Sequence, residues 1–281
     1  MIYTAYFDES DTHGPAPNIV MAGFVGNAYQ WGRFAKRLTK LQHKHKFSIF
    51  HATEFKARKG DFCGWSDDQA MALIDDLVAL VRDKLTMGLT VSLEHERFMQ
   101  EYRAPPIPKK MALDSHYGAC FRGCLGHLVD FAQARGEGTR INIVFEGGHK
   151  NIGDCDRIFT DLKARFRHVG SDLLGTFTVE TKATCPPLMV ADMLAHTKSM
   201  VNTRTASDTL PAGALQPFTG SRGGLHFLEF APAALRDLKD GFERLRRLEA
   251  DMWRAERDRK RQMASEKPQS EASAEVLGKR L

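Results

Sequence analysis

At the start of the chain apolar and polar positions alternate weakly, with Ile2, Tyr6 and Asp8 on one face and Tyr3, Ala5 and Phe7 on the other. Ile, Tyr and Phe are β-formers, so residues 2–8 are expected to form a strand largely covered on both faces. A turn rich in Asp, Gly, Pro and Asn (11–18) leads into a second apolar strand, Ile19-Val20-Met21-Ala22-Gly23-Phe24-Val25. The two should pair antiparallel, with their loop beside Asp8. Residues 29–46 have the period of an amphipathic helix that buries Phe34, Leu38 and Leu41. Phe50-His51-Ala52-Thr53-Glu54-Phe55 has no clean period and precedes a loop. Ser66, with Gln69 three residues on, reads as a capping box opening a helix that runs to about residue 84.

Further elements follow in the same way. Residues 86–93 alternate like a strand, and the prolines at 105, 106 and 108 break the chain before a long helix at 111–135. Arg140 to Glu146 is a strand ending in Gly147-Gly148, residues 150–168 are helical, 174–182 a strand, and 186–201 a nearly all-apolar helix containing Asp192. The order β–β–α–α–β–α–β–α–β–α predicts an α/β fold, a mixed sheet with helices on its faces. After residue 202 the pattern changes. Residues 202–230 read as loop, 232–263 as one long charged helix, and 264–281 as a disordered tail low in apolar residues. The expected organisation is therefore a domain over 1–202, an extension over 203–263 and the tail.

Composition bounds the class. Of 281 residues 42% are hydrophobic, enough for a core, and no run approaches the ~18 apolar residues that span a bilayer. The N-terminus has no signal-peptide pattern, so a cytoplasmic protein without membrane contact is expected. Five cysteines without a CxxC pair fit reduced thiols. The net charge of +5 says little, but between Arg33 and Gly60 nine Lys and Arg face one acid, Glu54. Such a field suits a polyanion, and Arg33, Lys36, Arg37, Lys40 and Lys44 are the candidate contacts to nucleic acid. A solvated helix face is the plainer alternative. Oligomeric state is left open.

Three acids stand in unusual contexts. Asp8 ends a strand among bulky apolar neighbours, Glu146 ends another, and Asp192 sits in a helix apolar all round. A lone carboxylate in such a helix is expensive unless it is paired or binds a metal. Carboxylates from two strand ends and a helix can converge at one sheet edge, the oxygen-rich setting that hard divalent cations require. Each also has a structural alternative: a turn for Asp8, an exposed strand end for Glu146, a buried ion pair for Asp192. His51 and Glu54, three apart, would share one side of a helical turn; His51 is a candidate for activating water and Glu54 for a further ligand, with a hydrogen-bonded pair as the alternative. His196 lies one turn after Asp192, and Glu9 should face away from Asp8. His116, Cys120 and Cys124 recur every four residues, more simply a buried stripe than a zinc site. Gly147-Gly148 before a helix can form a phosphate-binding turn or only a tight one.

Tyr6-Phe7-Asp8-Glu9-Ser10, Phe50-His51-Ala52-Thr53-Glu54-Phe55 and Val190-Ala191-Asp192-Met193-Leu194-Ala195 resemble the hallmarks of a bacterial family catalogued as domain of unknown function 3800, found also on phages and mobile elements. The likeness spans about residues 2–200 in element order. That family is grouped with the ribonuclease H-like superfamily, so the resemblance implies a five-stranded mixed sheet and a carboxylate site for Mg²⁺ or Mn²⁺. Carried over, Asp8, Glu146 and Asp192 become the ligands; Glu9, Ser10 and His196 are placed behind them by their positions beside Asp8 and Asp192, with a satisfied core histidine as the alternative for His196. Two positions depart: Asp11 follows Ser10 where the family has Gly, and Met189 stands where it usually has Gln. The expected function is a metal-dependent nuclease. The alternatives are a catalytically silent nucleic-acid-binding or assembly module of the same fold, which Met189 favours, and a metal hydrolase of a small phosphorylated molecule.

Overall fold

Segments dominated by β-branched and aromatic residues become strands, and the two most apolar lie where both faces are covered. In the computed structural model of the chain, which describes residues 1–10, 17–105, 107, 113–202 and 224–265, β1 (Ile2–Ser10) and β2 (Asn18–Asn27) pair antiparallel with Phe7 opposite Gly23. β2 also pairs antiparallel with β3 (Met87–Glu94). On the other side β1 runs parallel to β4 (Arg140–Glu146), and β4 parallel to β5 (Leu174–Glu180). A sixth strand, β6 (Leu225–Glu229), runs parallel to β3, giving the order β5-β4-β1-β2-β3-β6.

The sixth strand corrects two expectations: the sheet has six strands rather than five, and residues 225–229 are not loop. The segment Leu225-His226-Phe227-Leu228-Glu229 carries no period of its own; β3 supplies the open edge that organises it. Gly88 helps, because a Cβ there would lie 2.7 Å from the Leu225 side chain. The extension after residue 202 thus adds a strand to the same sheet. The turn at 11–16, most of the 203–230 loop, and residues 266–281 of the expected tail lie outside the described residues; 264 and 265 end the last helix.

Helices cover both faces. In chain order the helices are α1 (Ala28–His45), α2 (Ala52–Lys56), α3 (Asp67–Lys84), the short α4 (His95–Arg97), α5 (His116–Ala134), α6 (Ile152–His168) and α7 (Leu188–Asn202), of which α1, α2, α3 and α7 share one layer. Trp31, Phe34, Leu38 and Leu41 of α1 pack there with Leu73, Leu77 and Val81 of α3 and with Val190 and Leu194 of α7. The opposite layer consists of α5, α6 and the first turns of α8 (Pro232–Ser265). The capping box at Ser66 and Gln69 forms as read: the Gln69 N–H donates to Ser66 Oγ and the Ser66 N–H to Gln69 Oε1 (2.9 Å). α5 starts later than expected because Ser115 caps it, accepting from the Gly118 N–H at 2.9 Å. Fully buried Asp114 pins α5 to α6 by accepting from Arg122 (2.6 Å) and Arg157 (2.7 Å). Cys120 and Cys124 lie in the core and a His116 ring nitrogen meets the Leu93 carbonyl, the structural role rather than a zinc shell. No described helix is long and apolar enough to cross a membrane.

Candidate functional site

Strand register brings the first two acids together. Phe7 of β1 aligns with Phe145 of β4, so the next residues, Asp8 and Glu146, end neighbouring parallel strands side by side. Tyr3, Ala5 and Phe7 point into the α5–α6 layer, which turns Asp8 toward the face that α7 covers. From α7 comes Asp192, whose Oδ2 accepts the Ala52 N–H at 2.9 Å and so ties α7 to the start of α2. The helix is apolar on nearly every side, as its sequence required, with Leu188, Val190, Ala191, Leu194 and Ala195 buried.

All three carboxylates meet around one point, and the ammonium of Lys182 stands there. Its Nζ lies 2.8 Å from Asp8 Oδ2 and 3.5 Å from Asp192 Oδ2, and it also pairs with Glu146 Oε2. Sequence reasoning placed Lys182 inside a strand over 174–182, whereas β5 stops at Glu180 and the lysine occupies the turn that follows. It is 6% exposed. A signal existed in the chain: acids set in apolar segments require a cation nearby, and Lys182 is the basic residue between β5 and α7.

Charge in the cluster is unbalanced. Burial and the neighbouring Asp8 charge raise the proton affinity of both Glu146 and Asp192. Burial works against the Lys182 charge, but Asp8 and Asp192 more than offset it and push its pKa up. These shifts are consistent: one ammonium is stabilised by several carboxylates, while no carboxylate has a full counter-charge to itself.

The other candidates are placed unevenly. Ser10, His51 and His196 line the same cleft of about 450 Å³ as the three acids, together with Glu9, Gly147 and Gly148. Glu9 does face away from Asp8, accepting from Tyr117 of α5 at 3.2 Å, and burial followed by the Asp8 charge pushes its pKa to about 8. His51 is the N-cap of α2, extended in backbone, with its carbonyl accepting from the Phe55 N–H at 2.8 Å, so Glu54 sits in the first turn after it. Glu54 is exposed, with its carboxylate beside Gly60, and does not line the cleft. Burial and the Lys182 charge lower the His51 pKa, leaving a neutral ring able to accept a proton. Met189 is buried in the apolar cluster with α1 and α3 and does not line the cleft. Gly147-Gly148 continues past β4 as irregular chain, with the Gly147 N–H donating to the Glu180 carbonyl (2.8 Å) and Gly148 at φ +122, and α6 begins only at Ile152, so the glycine pair does not open a helix. His149 is buried, its ring stacked on Tyr117 at 4.0 Å.

The basic residues lie on α1, in the same layer as α7. Arg33, Lys36, Arg37 and Lys40 line a groove of about 420 Å³ against α3, and Asp76 and Asp83 share it. Lys44 is engaged with Asp76 at 2.6 Å.

Among the described residues, no three His, Cys, Asp or Glu side chains form a ready-made metal shell. The Asp192–Lys182 separation of 3.5 Å is also wider than the roughly 2.0–2.6 Å of hard-cation ligands. The donor chemistry nevertheless fits such a cation: all-oxygen carboxylate ligands with negative charge that one ammonium leaves in excess. No protein-family model matches this chain, and no curated protein matches it.

Proposed function

We propose that this chain is a metal-dependent phosphodiesterase acting on nucleic acid, built on a ribonuclease H-like core and related to the bacterial family that its motifs resemble. One observation carries the reading: Asp8, Glu146 and Asp192, from two adjacent strand ends and a helix, gather around a single cation position in a cleft. The five contiguous strands β1 to β5 accord with the five-stranded mixed sheet that the resemblance implies, with β6 added outside β3.

Asp8, Glu146 and Asp192 would hold Mg²⁺ or Mn²⁺. When bound, such an ion supplies a water of lowered pKa and offsets charge on the scissile phosphate. His51 faces the same cleft as a neutral base, suited to take a proton from an attacking water or to donate to a phosphate oxygen. Ala52 fixes the orientation of the Asp192 carboxylate through its backbone N–H. Arg33, Lys36, Arg37 and Lys40 would follow the phosphate backbone, and Asp76 and Asp83 temper that field.

A second reading, a catalytically silent nucleic-acid-binding module, draws on Lys182, because an ammonium already pairs with the carboxylates. Met189 lies in the apolar cluster and brings no polar group to the cleft. Incubation with end-labelled single- and double-stranded DNA and RNA separates the two. The phosphodiesterase reading expects cleavage in Mn²⁺ or Mg²⁺ and none in chelator. Cleavage undiminished in chelator would sink the metal, whereas salt-sensitive binding without cleavage is the outcome of the silent module.

A further inference from the structure

We propose that Lys182 is an exchangeable counter-ion of the carboxylate site: its ammonium holds the cation position until a divalent ion displaces it, and it thereby sets the site's metal affinity. The inference rests on the metal reading above and goes further, assigning a role to a residue outside the family motifs.

Four observations support exchange rather than a fixed structural pair. First, the ammonium has three N–H donors and meets three carboxylates, so it stands in the position a multidentate cation would take. Second, the backbone that carries it is anchored independently. The turn after β5 is closed by N–H donation from Thr184 and Cys185 to the Thr181 carbonyl, so the side chain can leave without unfolding the turn. A lysine stem with four flexible carbons allows that movement, and its strongly hydrated head is readily returned to water in a cleft. Third, one positive charge faces Asp8, Glu146 and Asp192 with Glu9 close behind, so a divalent ion compensates the cluster better than the lysine does. Fourth, Asp192 at 3.5 Å is the least closely paired of the three, and its carboxylate is oriented by the Ala52 N–H rather than by the lysine, so it keeps its place when the ammonium leaves.

Displacement has a cost, because every divalent ion that binds must first break the ammonium's contacts. Removing the ammonium should therefore tighten metal binding, and retaining a positive charge should not. The test is Mn²⁺ titration of the full chain by calorimetry at pH 7.5. The proteins are wild type, Lys182→Ala, Lys182→Gln, Lys182→Arg and Asp8→Asn, each checked for folding by circular dichroism. Lys182→Ala and Lys182→Gln are expected to bind Mn²⁺ at least tenfold more tightly than wild type, with a larger Mn²⁺-induced rise in Tm. Lys182→Arg should bind no more tightly, and Asp8→Asn should lose the site. If wild type binds Mn²⁺ and the folded Ala and Gln variants bind it equally or more weakly, the exchange role is overturned and the metal reading survives. If none of the proteins binds Mn²⁺, both fall together.

Discussion

Replacing Asp8 by Asn is expected to lower metal-dependent cleavage by roughly three orders of magnitude or more, while the melting temperature stays within a few degrees of wild type. The loss follows from the position of the side chain. Asp8 is the acid nearest the centre of β1, and its Oδ2 faces the shared cation position at 2.8 Å from Lys182 Nζ. An amide removes one formal charge from the ligand set, and several kcal/mol of charge stabilisation at about 1.4 kcal/mol per decade corresponds to a loss on that scale. Stability should persist because the amide oxygen can still accept from one of the two donors that Asp8 serves, Lys182 at Oδ2 or the Glu9 N–H at Oδ1 (2.7 Å), while the amide NH2 can donate to the neighbouring Glu146 carboxylate.

The electrostatics also favour tolerance. Burial and then the Asp8 charge raise the proton affinity of Glu9 and Glu146. For Glu9, moved from 4.5 to about 8, the linked stability is fully present below pH 4.5 and is lost as the pH climbs through 8. Near neutral pH the clustered acids therefore work against folding, and neutralising Asp8 relieves part of that repulsion. A thermal melt beside single-turnover kinetics checks both halves. A variant that unfolds, or one that cleaves at the wild-type rate, contradicts the assignment.

Gly23→Ala is expected to be the most damaging small substitution in the central sheet. Gly23 lies opposite Phe7, and a Cβ there would stand 2.1 Å from the Tyr6 carbonyl oxygen and 2.8 Å from a Phe7 ring carbon. A flexible side chain could move aside; a backbone carbonyl held between β2 and β4 cannot. The pairing of β1 with β2 would have to open just before Asp8. A loss above about 4 kcal/mol is expected, a large part of the ~5–15 kcal/mol that stabilises a typical domain. Gly126→Ala is the matched control. That glycine is exposed on α5 with no atom within 4 Å of the added methyl, so a gain of about 0.5–1 kcal/mol is expected. Urea unfolding of both variants distinguishes steric exclusion at Gly23 from a general effect of losing glycine.

The contrast between these two sites shows what could be read from the chain. Strands and helices were legible because their periods are strong: β1 and β2 alternate or stay apolar, and α1 repeats Trp31, Phe34, Leu38 and Leu41 toward the sheet. The convergence of Asp8 with Glu146 was legible for the same reason, since two apolar strands ending in acids align when they run parallel. Asp192 was marked by its apolar helix.

The failures share a physical origin, which is that the missing information lay in a partner. β6 is specified by the free edge of β3 and the space above Gly88 rather than by its own five residues. Lys182 lies past the end of a strand whose alternation fades, and only the acids around it make it unusual. His51 and Glu54 fall on one turn of α2 as their spacing suggests, yet only His51 reaches the cleft and the glutamate stays exposed. Met189 stands where the resembled family usually has Gln, and its packing places it in the apolar layer. The chain states which residues carry charge, and the fold decides which of those charges meet.

The most direct measurement is a crystal structure of the full chain grown with Mn²⁺ and recorded at the manganese absorption edge. The account predicts an anomalous peak between Asp8, Glu146 and Asp192, with carboxylate oxygens at roughly 2.0–2.6 Å from the ion and the Lys182 ammonium withdrawn from that point. The contradicting result is a map from Mn²⁺-saturated crystals in which Lys182 still bridges the three carboxylates and the anomalous signal is absent or lies elsewhere.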